Sequence, residues 1–236
     1  IIVISNDMKN NIIEKGVPVN KISVVSNWID TKSVKPIVKE NNYLFEKYGL
    51  SRGDFHVVYA GNLGYAQNIE IIIQAAKRLE NIKNVQFVIF GNGAQEEEYK
   101  KMAVELGVVN LKFFPIQPYS EVSYVYSLAD VSIVSCKKGF GGSAMPSKTW
   151  SIMAAGTPVL ASFDAGTDMQ KIISSDHLGL FSDASNIEGL ADNIKYLYLH
   201  KKQAEEMGEN ARRYVEANAS RHSCTARYIG IVNSVI

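Results

Sequence analysis

Charge of one sign is almost missing from this chain: 25 Lys and Arg face 24 Asp and Glu, a formal net charge of +1, and the basic residues are spread rather than blocked. That excludes the basic stripe on which a dedicated nucleic-acid binder depends, while leaving room for a small cluster gripping one anionic ligand. Cysteine is scarce as well. Cys136 and Cys224 belong to no CxxC or Cys/His cluster, so structural disulfides are not expected and a reducing, cytoplasmic location is the default. His56, His177, His200 and His222 lie far apart without metal-ligand spacing, and no metal is expected. No apolar run approaches the roughly 18 to 20 residues that a membrane-spanning helix requires. The opening Ile1-Ile2-Val3-Ile4 has neither a basic region nor a Met before it and is too short for a signal-peptide core. It reads as a strand in mid-protein, with the expectation that the chain begins inside a longer parent.

What is present suits one large α/β domain, or one domain plus a fragment of a second: 236 residues, 46% hydrophobic and 21% charged, with no biased tract and no internal repeat. Asn6 is the expected N-cap of a short helix that Gly16 stops. Residues 21–26 alternate as a strand, 31–42 read as a connector, and a short helix is expected at 43–48. From Phe55 onward, short β-rich runs alternate with amphipathic helices, the pattern of a doubly wound parallel sheet. The expected strands are 55–60, 85–90, 111–114, 131–136, 158–162 and 178–181. Ile69, Ile72, Ala76 and Leu79 mark the first intervening helix; Tyr99, Met102 and Leu106 mark the second; Val122, Val125 and Ala129 mark another. Two more are expected at roughly 186–199 and 201–217, with a third near the C-terminus.

Parallel α/β sheets bind ligands at the carboxyl ends of their strands. Three of those loops are glycine-rich. The first, Gly61-Asn62-Leu63-Gly64, allows close backbone approach and leads to a helix beginning near Asn68, where N–H groups could hold a phosphate or simply make a turn. The second, Gly91-Asn92-Gly93, lacks the third glycine of a dinucleotide fingerprint and has Glu96 in its place, so a close turn without phosphate contact is expected. The third, Lys137 to Lys148, is the richest: Gly139, Gly141 and Gly142 lead to Pro146-Ser147-Lys148 and a helix of about ten residues ended by Gly156 and Pro158. Pro146 is expected in the first helical turn. Free N–H groups at the helix start, flexible glycines and the cations Lys137, Lys138 and Lys148 together point to an anion site, with Lys148 the best phosphate ligand. A rival reading takes residues 142–149 as a Walker A loop and Asp164 as its Walker B partner. Ser147 replaces the needed second glycine and Pro146 stiffens the same spot.

The ordered set of segments resembles the C-terminal domain of family-4 retaining glycosyltransferases, whose two Rossmann-like domains face each other in the GT-B fold. The matching stretches are residues 24–30, Tyr59-Ala60-Gly61-Asn62-Leu63-Gly64, Val88 to Gly93, Ala129 to Val134, and Pro146-Ser147-Lys148 leading to Met153-Ala154-Ala155-Gly156-Thr157-Pro158. It is most similar to the bacterial subgroup that builds surface polysaccharides. The resemblance implies that residues 1–30 are the end of an N-terminal acceptor domain and hinge, and that 31–236 are the nucleotide-sugar-binding domain. It implies transfer of a sugar from a nucleoside diphosphate sugar, UDP-linked by expectation, to an acceptor hydroxyl with retention and without a metal or other cofactor. The acceptor, a glycan or lipid-linked glycan, would be bound by the N-terminal domain, without which the chain is expected to be inactive. The parent would be cytoplasmic, with room for peripheral contact at the inner face of the membrane.

The same resemblance assigns donor-binding positions. Asn62, Gly64 and Lys148 would contact phosphate; Ser143, Ala144 and Met145 would present groups to phosphate or sugar; Ser151 would face the ribose; the backbone at Ile116 and Gln117 would line the base. Gly61, Gln67, Gly142 and Ser147 complete the set. There are departures. Where the family has two glutamates separated by seven residues, this chain has Ser143 and Ser151, and the family's Arg and Lys after the first loop fall at Asn62 and Gln67. A neutral serine makes a hydrogen bond about half as strong as a charged partner would, so Lys148 and the helix start must carry more of the diphosphate. No general base is evident. Besides the NTPase, the alternatives are a nucleotide-sugar epimerase, for which no carboxylates and histidines cluster, and a nucleotide-sugar-binding domain without transferase activity.

Overall fold

The computed structural model describes residues 1–234. Two short strands, β1 (Ile2–Val3) and β2 (Ser23–Val24), pair in parallel as a separate small sheet beside α1 (Asn6–Glu14). A connector with the one-turn helix α2 (Leu44–Lys47) leads to the main sheet. Its strands are β3 (Phe55–Asn62), β4 (Val85–Asn92), β5 (Leu111–Phe114), β6 (Val131–Ser135), β7 (Val159–Phe163) and β8 (Gly179–Asp183). All pair in parallel, in the spatial order β5-β4-β3-β6-β7-β8. The chain therefore winds outward from β3 in one direction, returns, and winds outward from β6 in the other. This is the doubly wound Rossmann-like order expected, with its switch point between β3 and β6.

Helices cover both faces. α3 (Ile69–Arg78), α4 (Glu96–Glu105) and α8 (Ile187–Leu199) lie on one, where Ile69, Ile72 and Ile194 pack on Phe87, Ile89, Ile133 and Leu160. α5 (Val122–Ser127), α6 (Lys148–Ala154), α7 (Asp168–Ser175) and α9 (Lys201–Asn218) lie on the other, where Trp150, Ile152, Met153 and Val215 pack on Val58, Val88, Val134 and Ala161. The two-residue period of the strands sends Val57 and Val58 to opposite cores. Every residue of β6 and β7 is buried, as strands covered on both faces require. α10 (Arg221–Asn233) buries only Cys224.

Several elements differ from expectation. β3 and β4 run two residues further because Gly61 pairs with Gly91 and Asn62 with Asn92, so both glycine loops begin inside the sheet. The N-cap of α1 is Ser5, not Asn6. Ser5 is extended and its Oγ accepts from the Met8 N–H at 3.1 Å, whereas Asn6 is already helical and donates to Asp168. α6 starts at Lys148 and has seven residues; Pro146 and Ser147 precede it because the Thr149 and Trp150 N–H groups bond three residues back, to the Pro146 and Ser147 carbonyls. α7 was not expected at all. Its Met169, Ile172 and Ile173 have helical spacing, but only eight residues separate its ends. Glu209 and Arg213 do pair across one turn, at 3.8 Å on an exposed face.

Arg212 of α9 ties the connector to the body. Its guanidinium donates to the carbonyls of Thr31 and Val34, both at 2.8 Å, and to that of Ala154 at the end of α6, while Glu216 pairs with it at 2.6 Å. Charge-assisted bonds to carbonyls that would otherwise be stranded contribute about 1.5–3 kcal/mol each way of counting. Arg212→Ala should lower the unfolding free energy by about 2–3 kcal/mol in urea titrations; a change within experimental scatter would show that the bracket is dispensable.

His56 is fully buried on β3 against the edge of Phe45, with no partner for either ring nitrogen, and burial pushes its pKa down from 6.5 to about 4. The unfolded chain takes up this proton below pH 6.5 and the folded chain only near 4, so stability falls as pH drops through that window. His56→Phe should flatten this part of the stability profile, measured by denaturant midpoints between pH 4 and 7.

Candidate functional site

The ladder between β3 and β6 is two residues long, Val57 to Val131 and Val58 to Ser132. Beyond it the strands part toward their carboxyl ends and open a crevice at the switch point. The first glycine loop enters this crevice from β3, and α6 enters from β6. Gly61 has φ +143°, and a Cβ there would come within 2.6 Å of the Lys148 Nζ. The positive φ favours glycine here, and the missing side chain leaves the Lys148 ammonium its place. Behind it, a Cβ on Gly91 would meet the Gly61 carbonyl at 2.5 Å. The second loop is a buttress for the first: the Leu63 N–H donates to the Asn92 carbonyl at 2.7 Å, and the Gln95 N–H to the Leu63 carbonyl at 2.9 Å. Glu96 is turned to Lys100 at 2.7 Å. This is the close-turn role expected of Gly91 and Gly93.

Lys148 lies with its Nζ 3.8 Å from the centroid of the Tyr59 ring, whose hydroxyl donates to the Asn62 carbonyl at 2.7 Å. Among the described residues no carboxylate pairs with this ammonium. The π-face of a neutral tyrosine offsets only part of the cost of removing a charge from water. Burial accordingly pushes the Lys148 pKa down to about 7. The Ser147 and Lys148 N–H groups at the start of α6 also bond to no acceptor among the described residues. An unpaired ammonium and two open N–H groups converge where an anion would complete them.

Beside Lys148 is a cavity of about 410 Å³, lined by Ala60, Gly61, Phe90, Ile116, Gln117, Pro118, Tyr119, Val122, Val125, Tyr126, Ser147, Lys148 and Ser151. It brings together Gly61, Ile116, Gln117, Ser147, Lys148 and Ser151 of the residues singled out from sequence. Its walls are apolar toward β4 and β5 and polar toward α6, a division suited to a planar base at one end and a ribose and phosphates at the other. Phe90, Tyr119, Val122, Val125 and Tyr126 were not singled out. Tyr119, Val122 and Val125 recur every three residues on one helical face, a signal that first reads as core.

The other residues named from sequence lie outside this cavity. Asn62, exposed, meets the Gln67 amide at 3.4 Å, and the Gly64 carbonyl accepts from the Tyr99 hydroxyl at 3.0 Å. Gly142 and Ser143 are exposed in a single 3₁₀ turn, and Ala144 is half-buried. Met145 is buried in the apolar core with Trp150 and borders a different cavity, of about 390 Å³, that also includes Ser5, Asn6 and Asp168.

The remaining loop cations are already paired. Lys137 is 3.8 Å from Glu70 and 3.5 Å from the Tyr65 ring centroid, and Lys138 is 4.0 Å from Asp183. Two of the glycine-loop N–H groups are also taken: Gly139 donates to both oxygens of Asp164, at 3.0 and 2.8 Å, and Gly141 to one of them at 2.8 Å. The loop's anion is internal. Of the three lysines in this stretch, Lys148 is the one with no carboxylate within ion-pair distance among the described residues.

A Rossmann-like sheet with an apolar slot and a lysine without a carboxylate partner at its switch point has the architecture of α/β domains that hold ligands at the carboxyl ends of their strands. Residues 41–214 match the family model for glycosyl transferases group 1. The chain belongs to that family. It is 26% identical over 228 residues to an Escherichia coli protein named for a glycosyl transferase of colanic acid biosynthesis, covering 96% of this chain and 55% of that one. It is 31% identical over 179 residues to the Pseudomonas aeruginosa protein WbjE, named as a glycosyltransferase, covering 76% of this chain and 44% of that one. The chain thus spans about half the length of the curated relatives it matches. Among solved structures, HepE of Anabaena in complex with UDP-glucose superposes with a TM-score of 0.86 at 16% identity, over 99% of this chain and 63% of that one. Sucrose-phosphate synthase from Thermosynechococcus elongatus superposes with a TM-score of 0.84 at 18% identity, over 99% and 57%. These likenesses establish a fold shared with GT-B glycosyltransferases.

The pKa of about 7 gives a direct test of the anion site. Near pH 8 most Lys148 amines are neutral in the free chain, and an anion in contact must draw a proton in. Inorganic pyrophosphate should therefore bind with proton uptake, seen as calorimetric enthalpies that vary with buffer ionisation heat, and its affinity should fall as pH rises from 7 to 9. Binding with no proton exchange would place the anion elsewhere.

Proposed function

We propose that this chain is the donor-binding half of a family-4 retaining glycosyltransferase that builds cell-surface polysaccharide. The donor is a nucleoside diphosphate sugar, UDP-linked, and its sugar passes with retention to an acceptor hydroxyl. The observation that carries this reading is Lys148: an ammonium without a carboxylate, next to open N–H groups and a slot of nucleoside size. As the glycosidic bond breaks, charge accumulates on the leaving diphosphate. Donors already aimed at that point stabilise the transition state more than the bound substrate. Lys148 supplies this charge itself, so no metal or other cofactor is needed.

Further observations support parts of the reading. The separate β1–β2 sheet supports assigning residues 1–30 to the end of an acceptor domain and its hinge. The half-length match to relatives named for glycosyl transfer supports a parent with a second domain, where a glycan or lipid-linked acceptor binds and without which transfer does not occur. Ser151 borders the cavity in the position suited to a ribose hydroxyl. We place the parent in the cytoplasm, in peripheral contact with the inner membrane face and without a nucleic-acid partner. The P-loop NTPase reading is disfavoured because Asp164, its magnesium-binding candidate, accepts loop N–H groups instead.

Titration calorimetry with UDP should give binding of equal affinity with EDTA and with Mg²⁺. Lys148→Ala should weaken it about tenfold or more, the contribution expected of a charged hydrogen bond. Absence of heat at millimolar UDP would sink the donor assignment. Turnover of the full-length parent with a panel of sugar donors separates a transferase from a binding domain that has lost activity.

A further inference from the structure

We infer that Tyr65 and Phe140 form a stacking platform for a sugar ring of the acceptor glycan, so that this chain, and not only the missing domain, takes part in acceptor recognition. The inference rests on the donor reading above and extends it. Single exposed aromatics are ordinary on protein surfaces. Here two of them, 59% and 46% exposed, come from the two loops that flank the switch point and meet edge-to-face at 6.5 Å.

The two loops are held. The Lys137 N–H donates to the Ala66 carbonyl at 2.8 Å, joining the loops, and Asp164 clamps Gly139 and Gly141 on either side of Phe140. Lys137, anchored near Glu70, lies against the Tyr65 ring and braces it. The rings are exposed yet fixed, which is the preorganised state a binding surface needs.

Position selects the ligand. The nucleoside cavity lies over β3, β4 and β5, whereas the Phe140 loop is tied to Asp164 and Asp183 at the ends of β7 and β8. The platform is therefore across the switch point from the base, on the side to which the donor's sugar end points. A pyranose presents one C–H face and a rim of hydroxyls. Aromatic faces accept the first, and the Asn62 and Gln67 amides, in the same loop as Tyr65, offer donors and acceptors for the second. A membrane surface is a poorer match, because Lys137 is drawn onto the Tyr65 ring near Glu70 and leaves Lys138 as the one exposed lysine of this loop to meet anionic lipid.

The test uses the chain with saturating UDP and a panel of methyl hexopyranosides of gluco, galacto, manno and fuco configuration. Saturation-transfer difference NMR should show transfer to ring protons for at least one member. Tyr65→Ala and Phe140→Ala should each reduce it about fivefold, while Tyr65→Phe retains it and UDP affinity stays within about twofold in all three. UDP binding with no glycoside signal, or signals indifferent to both alanine substitutions, would overturn the platform alone. Loss of UDP binding by the unsubstituted chain would overturn the donor reading, and the platform with it. Co-sedimentation with phosphatidylglycerol vesicles that disappears in the double variant would overturn it in favour of lipid contact.

Discussion

A positive charge held in a half-buried crevice, without a negative partner among the described residues, organises this part of the molecule. Lys148 is desolvated over the Tyr59 ring and beneath Gly61, and its depressed pKa records the cost. Much of the neighbouring structure is explained by the need to admit it. Gly61 holds a positive φ beside the ammonium, and Gly91 lacks a side chain because the Gly61 backbone lies close. The short ladder between β3 and β6 leaves the gap in which both fit. A free chain in this state is poised rather than satisfied, and an anionic ligand resolves the imbalance.

The carboxylates around the crevice are disposed so as not to resolve it. Asp164 is committed to the glycine-loop N–H groups, and Glu70 and Asp183 to Lys137 and Lys138. At the neighbouring junction, Asp168 accepts from the Asn6 N–H while Asp7 accepts from the Asp168 N–H, so the starts of α1 and α7 cap each other. Each acid neutralises a local backbone or side-chain donor, which rigidifies the loops and keeps Lys148 open. Ser151 contributes to the same end: it lies three residues after Lys148 on α6 and on the wall of the cavity, where a carboxylate would be an i,i+3 partner for the lysine.

The alternation of strands and helices, the doubly wound class and the position of Lys148 at a helix start could all be read from the chain as a string. Those features are written locally, in periodicity, in glycine and proline placement, and in the rarity of a lysine at a helix start. Elements too short for periodicity to register escaped, such as α7, and so did one-residue matters such as the choice of Ser5 over Asn6 as a cap.

What the string could not disclose is which donors and charges are already occupied. Sequence favours Lys148 by its place at a helix start, but it does not show that Lys137 and Lys138 have carboxylate neighbours or that Gly139 and Gly141 have an acceptor for their N–H groups. Their partners, Glu70, Asp183 and Asp164, lie between 23 and 67 residues away along the chain. Only the closing of the sheet brings them near. Local pattern determined which cations and glycines share one loop; long-range packing decided which of those lysines has a carboxylate neighbour and which has none, because a Coulomb interaction depends on distance in space and not on separation in sequence.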